Sequence, residues 1–311
     1  MKNKSKVLSE DKEIIDLGIS SKVIDAKRII NRDGSFNVFR KGLKFFESFS
    51  TYHWLISMSW TRFCLLILGS YLLVNIFFAS LYYLGGEENF EGIKASTNFE
   101  RFLNEFFFST QTFTTVGYGR VNPVGVYANI ISSIESLMGL LSLAVATGLL
   151  YGRFVRPYAK ILYSDTAVIA PFKDHTAFQF RIANKRSSHQ MVDVEIEVLL
   201  SIVDVDKRRF KSLDLEYKKI NFFNSTWTVN HPINEESPLY GLSESDLNDA
   251  KAEFLILLKG FDDTFAQVIH WRSSYRYDEI VWSARFKSIY TISEEGMTTI
   301  ELDKISDYEK V

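Results

Sequence analysis

Cysteine is almost missing from these 311 residues: Cys64 is the single one, and it sits inside an apolar run. One thiol excludes an intrachain disulfide, so no covalent framework holds the fold, and Cys64 reads as a small packing residue. Histidine is scarce too. The five, His53, His175, His189, His231 and His270, show no metal-ligand spacing. No phosphate-cradling glycine loop or nucleophile elbow accompanies them. These gaps argue against an enzyme and against a bound cofactor. The net charge of −2 lacks the basic excess that a nucleic-acid partner demands. Residues 1–35 hold no apolar stretch followed by a small-residue cleavage site, so no secretory signal is read there and the N-terminus is expected in the cytoplasm.

What is present is an apolar concentration between Phe63 and Phe154, with charge outside it. A run from Phe63 to Leu84 supplies the roughly 20 residues that a helix needs to cross ~30 Å of hydrocarbon. A second run, from about Val124 to Phe154, contains one acid, Glu135, and the glycines Gly125, Gly139 and Gly148. Arg40, Lys41, Lys44 and Arg62 precede the first run, and Arg153, Arg156 and Lys160 follow the second. Basic flanks stay inside, which puts both termini on the cytoplasmic side of a cell membrane. An outer helix over 60–84 and an inner helix over 124–154 are predicted, with Trp60 as an interfacial anchor. An N-terminal arm, 1–44, precedes an amphipathic stretch, 45–59, that is expected to lie in the membrane interface, with packing on a protein surface as the alternative. After Pro157, short segments at 166–172, 176–183, 190–203, 252–259, 264–271 and 279–290 are rich in Val, Ile, Phe and Tyr and often alternate. A β-sandwich over 157–311 is predicted.

The linker between the spans is too apolar for an ordinary loop. Phe99 to Phe113 suits a short pore helix, 99–113, dipping into the membrane. Thr115-Val116-Gly117-Tyr118-Gly119 follows, a sequence suited to selecting potassium. An ion entering a narrow pore sheds its water, and stacked backbone carbonyls can replace that water. Gly117 and Gly119 permit backbone conformations that a side chain penalises. The expected K+ ligands are the oxygens of Thr115, Val116, Gly117 and Tyr118, with the ion as permeant species. One chain supplies one filter strand, so a closed ring implies a homotetramer.

With these residues in hand, the chain resembles the inward-rectifier potassium channels, most closely their prokaryotic branch. The resemblance spans about 31–290. It rests on Arg32-Asp33-Gly34-Ser35-Phe36-Asn37-Val38, the filter, Ser237-Pro238-Leu239-Tyr240-Gly241 and Arg272-Ser273-Ser274-Tyr275. It implies an α+β membrane protein: an interfacial slide helix, two transmembrane helices with a re-entrant pore helix and selectivity filter (pore domain 60–156), and an immunoglobulin-like cytoplasmic β-sandwich. On the inner helix, Leu143 and Tyr151 match gate positions and Gly139 a hinge. Independently, Leu143, Thr147 and Tyr151 share one helical face. Apolar rings there could gate by dewetting, or the same residues could simply pack between helices. Gly139 could likewise serve close helix packing.

In the β-domain, Asp263 and the loop Thr264, Phe265, Ala266, Gln267 and Val268 match a constriction of the cytoplasmic pore; ordinary hairpin chemistry is the alternative. Arg153, Arg156 and Arg186 match basic positions that bind anionic phospholipid, although Tyr158 and Ala159 replace other bases. Gln111 stands where eukaryotic relatives carry a filter-bracing acid, and Leu143 and Val192 replace acids tied to polyamine block, so weak block is expected. Glu135 lies about 80° off the pore-facing line at ~100° per residue and is expected to brace the filter or a neighbouring subunit, with lining of the cavity as the alternative; Gln111 is likewise expected to support the filter. A non-selective cation channel and a membrane-anchored sensor are the competing readings.

Overall fold

The computed structural model of the chain describes residues 28–39, 41–42, 50–155, 161–185, 190–204, 207–292 and 296–311. The chain forms two units, one from the described residues of Lys41–Arg156 and the other from those of Met1–Arg40 and Pro157–Val311. Most of the N-terminal arm, residues 45–49 of the amphipathic stretch, Arg156 and Arg186 lie outside the described residues.

The first unit is helical. A short α1 (Thr51–Ser57) leads into α2 (Trp60–Gly85), whose first turn is capped by Ser59 accepting from the Arg62 amide. At about 1.5 Å per residue, the 26 residues of α2 reach about 39 Å. A two-strand ribbon, β1 (Phe90–Glu91) and β2 (Asn122–Pro123), brackets α3 (Asn98–Phe113). The start of α3 is fixed twice: Thr97 Oγ1 accepts from the Glu100 amide at 3.1 Å, and the Glu100 carboxylate accepts from the Ser96 amide at 2.7 Å. Reciprocal capping of this kind stops the helix from fraying at its polar end. The long α4 (Gly125–Phe154) closes the unit. Both α2 and α4 are long and apolar enough to cross a membrane. Only a narrow stripe of each is buried: Phe63, Asn75, Phe78, Ala79 and Tyr82 on α2, and Ala128, Glu135 and Gly139 on α4. The other apolar side chains face outward, an arrangement that lipid tolerates and water does not. Tyr82, Phe90 and Phe108 form a triangle of edge-to-face rings with centroids 5.2–5.3 Å apart, which locks α2, β1 and α3 together.

The second unit is a sandwich of two five-stranded sheets. One contains β3 (Ile161–Tyr163), β4 (Ala167–Phe172), β5 (His175–Asn184), β9 (Thr226–Ile233) and β12 (Ile280–Trp282). The other contains β6 (Met191–Asp204), β7 (Lys207–Leu213), β8 (Lys219–Phe223), β10 (Glu253–Asp262) and β11 (Gln267–Arg276). Inward residues at every second position, such as Val194, Ile196 and Val198 against Phe178, Phe180 and Ile182, make the core. Phe178 stacks on Phe254 across the sheets at 4.2 Å. A short helix, α5 (Glu244–Asp249), sits before β10. Two ribbons, β13 (Ala284–Phe286) with β16 (Tyr308–Lys310) and β14 (Tyr290–Ile292) with β15 (Thr298–Ile300), complete the unit.

The segment predicted as one strand over 279–290 is divided. Ser283 takes φ 51°, so β12 runs parallel to β4 while β13 leaves to pair with β16. The segment expected from 264 begins as a strand only at Gln267. Asp262 Oδ1 accepts from the Thr264 and Phe265 amides at 3.0 and 3.2 Å, and these bonds hold a tight turn between β10 and β11.

Candidate ion-conduction site

α3 ends at Phe113, and the chain then departs from any regular structure. Thr115, Gly117 and Gly119 have φ of 59°, 53° and 76°, while Val116 and Tyr118 keep negative φ. Residues of opposite hand in alternation turn successive carbonyls to one side, where an extended strand would alternate them. Glycine takes this conformation freely. Thr115 is β-branched, and its left-handed backbone costs of order 1–3 kcal/mol. The stored strain is held by hydrogen bonds from the amide side. The Gln111 carbonyl accepts from the Val116 amide at 2.9 Å and the Gly117 amide at 3.4 Å, and the Thr112 carbonyl accepts from the Thr115 amide at 3.0 Å. The expected support from Gln111 therefore runs through its backbone. No described residue donates a hydrogen bond to the carbonyls of Thr115, Val116, Gly117 or Tyr118; Gly119 O accepts from the Asn122 side chain at 3.2 Å. Residues 114–120 are all exposed. Four exposed, unspent acceptors in a row are what an unhydrated cation needs.

The segment after Gly119 is bolted to its surroundings. Arg120 donates to Asn104 Oδ1 on α3 at 2.6 Å, and a Cβ on Gly92 (φ 91°) would collide with the Arg120 carbonyl. Arg120 thus finds an amide partner on α3.

Glu135 on α4 is fully buried. Its Oε2 accepts from the Tyr82 hydroxyl at 2.5 Å, and its Oε1 is hydrogen-bonded to the Ser109 hydroxyl. One turn on, Gly139 is also buried, and a side chain there would run into the Phe113 carbonyl. α4 is continuous through Gly139, so what the structure assigns to this glycine is a close approach to the end of α3. Leu143 and Tyr151 are 66% and 69% exposed, unpartnered on the same helix, with the Thr147 hydroxyl bonded to the Leu143 carbonyl between them.

Arg153 sits differently from a free headgroup ligand. Its guanidinium donates to the Leu55 and Met58 carbonyls at 2.6 and 2.7 Å, and it lies over the Trp60 and Phe63 rings at 4.7 and 4.4 Å. It caps the C-terminus of α1, and Trp60 packs between it and Phe154. In the sandwich unit, Asp263 to Ala266 form the β10–β11 turn, with Ala266 at φ 49°, and Gln267 and Val268 open β11. Asp263 is exposed.

Residues that sequence reasoning missed cluster in two places. Tyr82, Ser109 and Asn75 complete the Glu135 group; polar residues inside apolar runs were the available signal. In the sandwich unit, buried Glu253 accepts from the Ile29 and Ile30 amides at 2.9–3.2 Å and from Arg208 at 3.3 Å. Beside it, Arg28 and Arg32 both pair with Glu279 at 2.9 Å. Although burial opposes ionisation of Glu279, the Arg276 amide and the two arginines hold its carboxyl below the usual range.

The family model for the inward rectifier potassium channel C-terminal domain matches residues 161–311, and an ion channel model matches 67–156. The inward rectifier potassium channel Kirbac3.1 of Paramagnetospirillum magnetotacticum is 37% identical over 286 residues, covering 90% of this chain and 95% of its own. The chain belongs to the inward-rectifier potassium channel family. As a member it is a potassium channel with two apolar spans and a β-rich domain, and the family is one of channels, not enzymes. The ATP-sensitive inward rectifier potassium channel 12 of Gallus gallus is 29% identical; the match covers 75% of this inward rectifier and just over half, 56%, of that protein. The G protein-activated inward rectifier potassium channel 2 of Homo sapiens is 25% identical over 90% of this chain and 72% of its own.

Proposed function

We propose that four copies of this chain surround one pore and that Thr115, Val116, Gly117 and Tyr118 line it with carbonyl oxygens that conduct K+ selectively across a cell membrane. The observation that carries this is the alternating backbone hand from Thr115 to Gly119 with its four unspent carbonyls. A single chain offers an ion one column of oxygens; a ring of four replaces a full hydration shell. Tyr118, 78% exposed in the single chain, would brace the filter against a neighbour. Leu143 and Tyr151 then form apolar rings that gate by dewetting. The turn at 263–268 narrows the path beyond the membrane, with both termini in the cytoplasm of a bacterial inner membrane. Anionic phospholipid acts through Arg156 and Arg186. Arg153 contributes to it by holding α1, whose apolar face lies in the interface and is anchored by Trp60. Gly139 sets the inner helix against the filter rather than bending it.

The test is tracer flux into liposomes containing purified protein, under K+ and Na+ gradients. Wild type should pass K+ and exclude Na+. Gly117→Ala, which forces a side chain into the left-handed region, should abolish selective flux while leaving the oligomer intact. Equal passage of both ions by wild type, or a monomer in bilayers, would refute the reading.

A further inference from the structure

Glu135 belongs to a closed set of buried polar groups, and their hydrogens can be counted. Glu135, Ser109 and Asn75 are each fully buried. The Tyr82 hydroxyl donates to Glu135 Oε2. Ser109 Oγ lies within hydrogen-bond reach of Glu135 Oε1 and, at 3.0 Å, of Asn75 Oδ1. The Asn75 amide nitrogen donates to the Tyr71 carbonyl at 2.7 Å, so its oxygen is left to accept. Ser109 has one hydroxyl hydrogen for three acceptors: Glu135 Oε1, Asn75 Oδ1 and, at 3.2 Å, the Asn75 carbonyl. If Glu135 were ionised, that hydrogen would go either to the carboxylate or to Asn75, and the other buried oxygen would stand without a donor.

The surrounding charge points the same way. No described residue places a cation against Glu135. Its neighbours are Tyr82 from α2 and Ser109 from α3, both hydroxyls. Glu105, the other buried acid of this unit and one turn earlier on α3, is paired with Arg101 at 3.1 Å, and Arg101 donates also to the Tyr83 carbonyl. The described residues supply a counter-ion to one acid and none to the other, and a buried unpaired charge is strongly disfavoured.

We infer that Glu135 is a neutral carboxylic acid whose O–H donates to Ser109, making it a positioning residue that ties α2, α3 and α4 together behind the filter. Every group is then satisfied in one direction: Tyr82 donates to Glu135, Glu135 to Ser109, and Ser109 to Asn75. A glutamine can repeat this pattern, because its NH2 donates where the acid did and its oxygen still accepts from Tyr82. The inference rests on the filter reading for its functional consequence, and its physical core is measured separately.

The experiment is an infrared difference spectrum of wild type against Glu135→Gln, full-length and reconstituted, in H2O and in D2O at neutral pH. A carboxylic-acid C=O band present in wild type, absent from the variant and shifted in D2O is expected. Tracer flux from the same vesicles should show K+ over Na+ selectivity within about twofold of wild type for Glu135→Gln. Selectivity should be lowered several-fold in Ser109→Ala, which removes the link. Ser109→Ala also stands in should Glu135→Gln not assemble, since loss of the acceptor must move the acid band. A difference spectrum showing loss of a carboxylate band instead would overturn the inference. So would an assembled Glu135→Gln that admits Na+ as readily as K+. A wild type that is unselective from the start would refute the pore reading and leave the infrared result to decide this one.

Discussion

Replacing Gly139 with alanine separates two roles for that position by the sign of the effect. Alanine in a helix interior is about 0.8–1 kcal/mol better than glycine. A hinge glycine that acts by weakening α4 would therefore give a stabler protein on substitution. The structure opposes this. A Cβ at 139 would overlap the Phe113 carbonyl oxygen and lie 2.8 Å from its carbon and 3.1 Å from its Cα. The obstruction is backbone at the last residue of α3, which cannot rotate aside as a side chain could. Overpacking of this kind costs about 1–3 kcal/mol. Gly148 on the same helix is the internal control, because no described residue of the chain lies within 4 Å of a Cβ there. Both substitutions gain the same propensity, so the difference between them isolates the overlap, about 1–3 kcal/mol per chain. Thermal denaturation of the purified channel should place Gly139→Ala below Gly148→Ala. Flux assays should find Gly139→Ala less selective, because a displaced Phe113 shifts the Gln111 carbonyl that holds Val116. If Gly139→Ala melts at or above Gly148→Ala with selectivity unchanged, the close-approach reading fails.

Two further outcomes follow from sites away from the filter. Arg153→Leu removes the two bonds that cap α1. Losing one charged donor costs roughly 1.5–3 kcal/mol, so hydrogen exchange at the Met58 amide should accelerate by roughly ten- to a hundred-fold; unchanged exchange would show that α1 does not depend on Arg153. His231 is buried, which pushes its imidazole pKa down despite the Asp214 carbonyl beside it. Nδ1–H must donate to that carbonyl at 2.6 Å, leaving Nε2 to accept from the Ser237 hydroxyl at 2.7 Å. A depressed histidine contributes stability above its unfolded pKa of about 6.5 and loses it as pH falls from there, by up to about 1.4 kcal/mol per unit. The melting temperature of the channel should therefore drop as pH falls below about 6.5, and His231→Gln should flatten that slope; a slope identical in both would refute the assignment.

The spans and the sandwich were legible in the sequence because each obeys a one-dimensional rule. Lipid demands an unbroken apolar run, and a half-buried strand demands alternation, as in Val192 to Val198. The left-handed backbone at 117 and 119 was legible because glycine there announces a conformation that other residues resist. What could not be read is three-dimensional or lies in the backbone. Thr115 gives no sign that it, too, is left-handed. Ser283, an ordinary polar residue, turns the chain out of one sheet and into a separate ribbon. Gly139 matched a bending position in sequence, while the space it vacates is visible only once α3 is beside it. Arg153 was read by charge alone, and its partners are two carbonyls that no side-chain pattern encodes. Glu253 and the Ile29 and Ile30 amides are more than 220 residues apart, so their pairing had no local signature at all.

That last contact sets an unusual rule for drift along the arm. Glu253 grips main-chain N–H groups, which every residue but one carries. Valine or leucine in place of either isoleucine keeps the handle that the carboxylate holds and enough bulk for the Leu199, Phe210 and Leu255 cluster. Proline keeps neither the donor nor the freedom of φ, and it would take from the buried acid one of the two amides that hold it beside Arg208. At positions 29 and 30, then, the forbidden residue is defined by what its nitrogen lacks, and an alignment scored on side-chain likeness would miss the constraint.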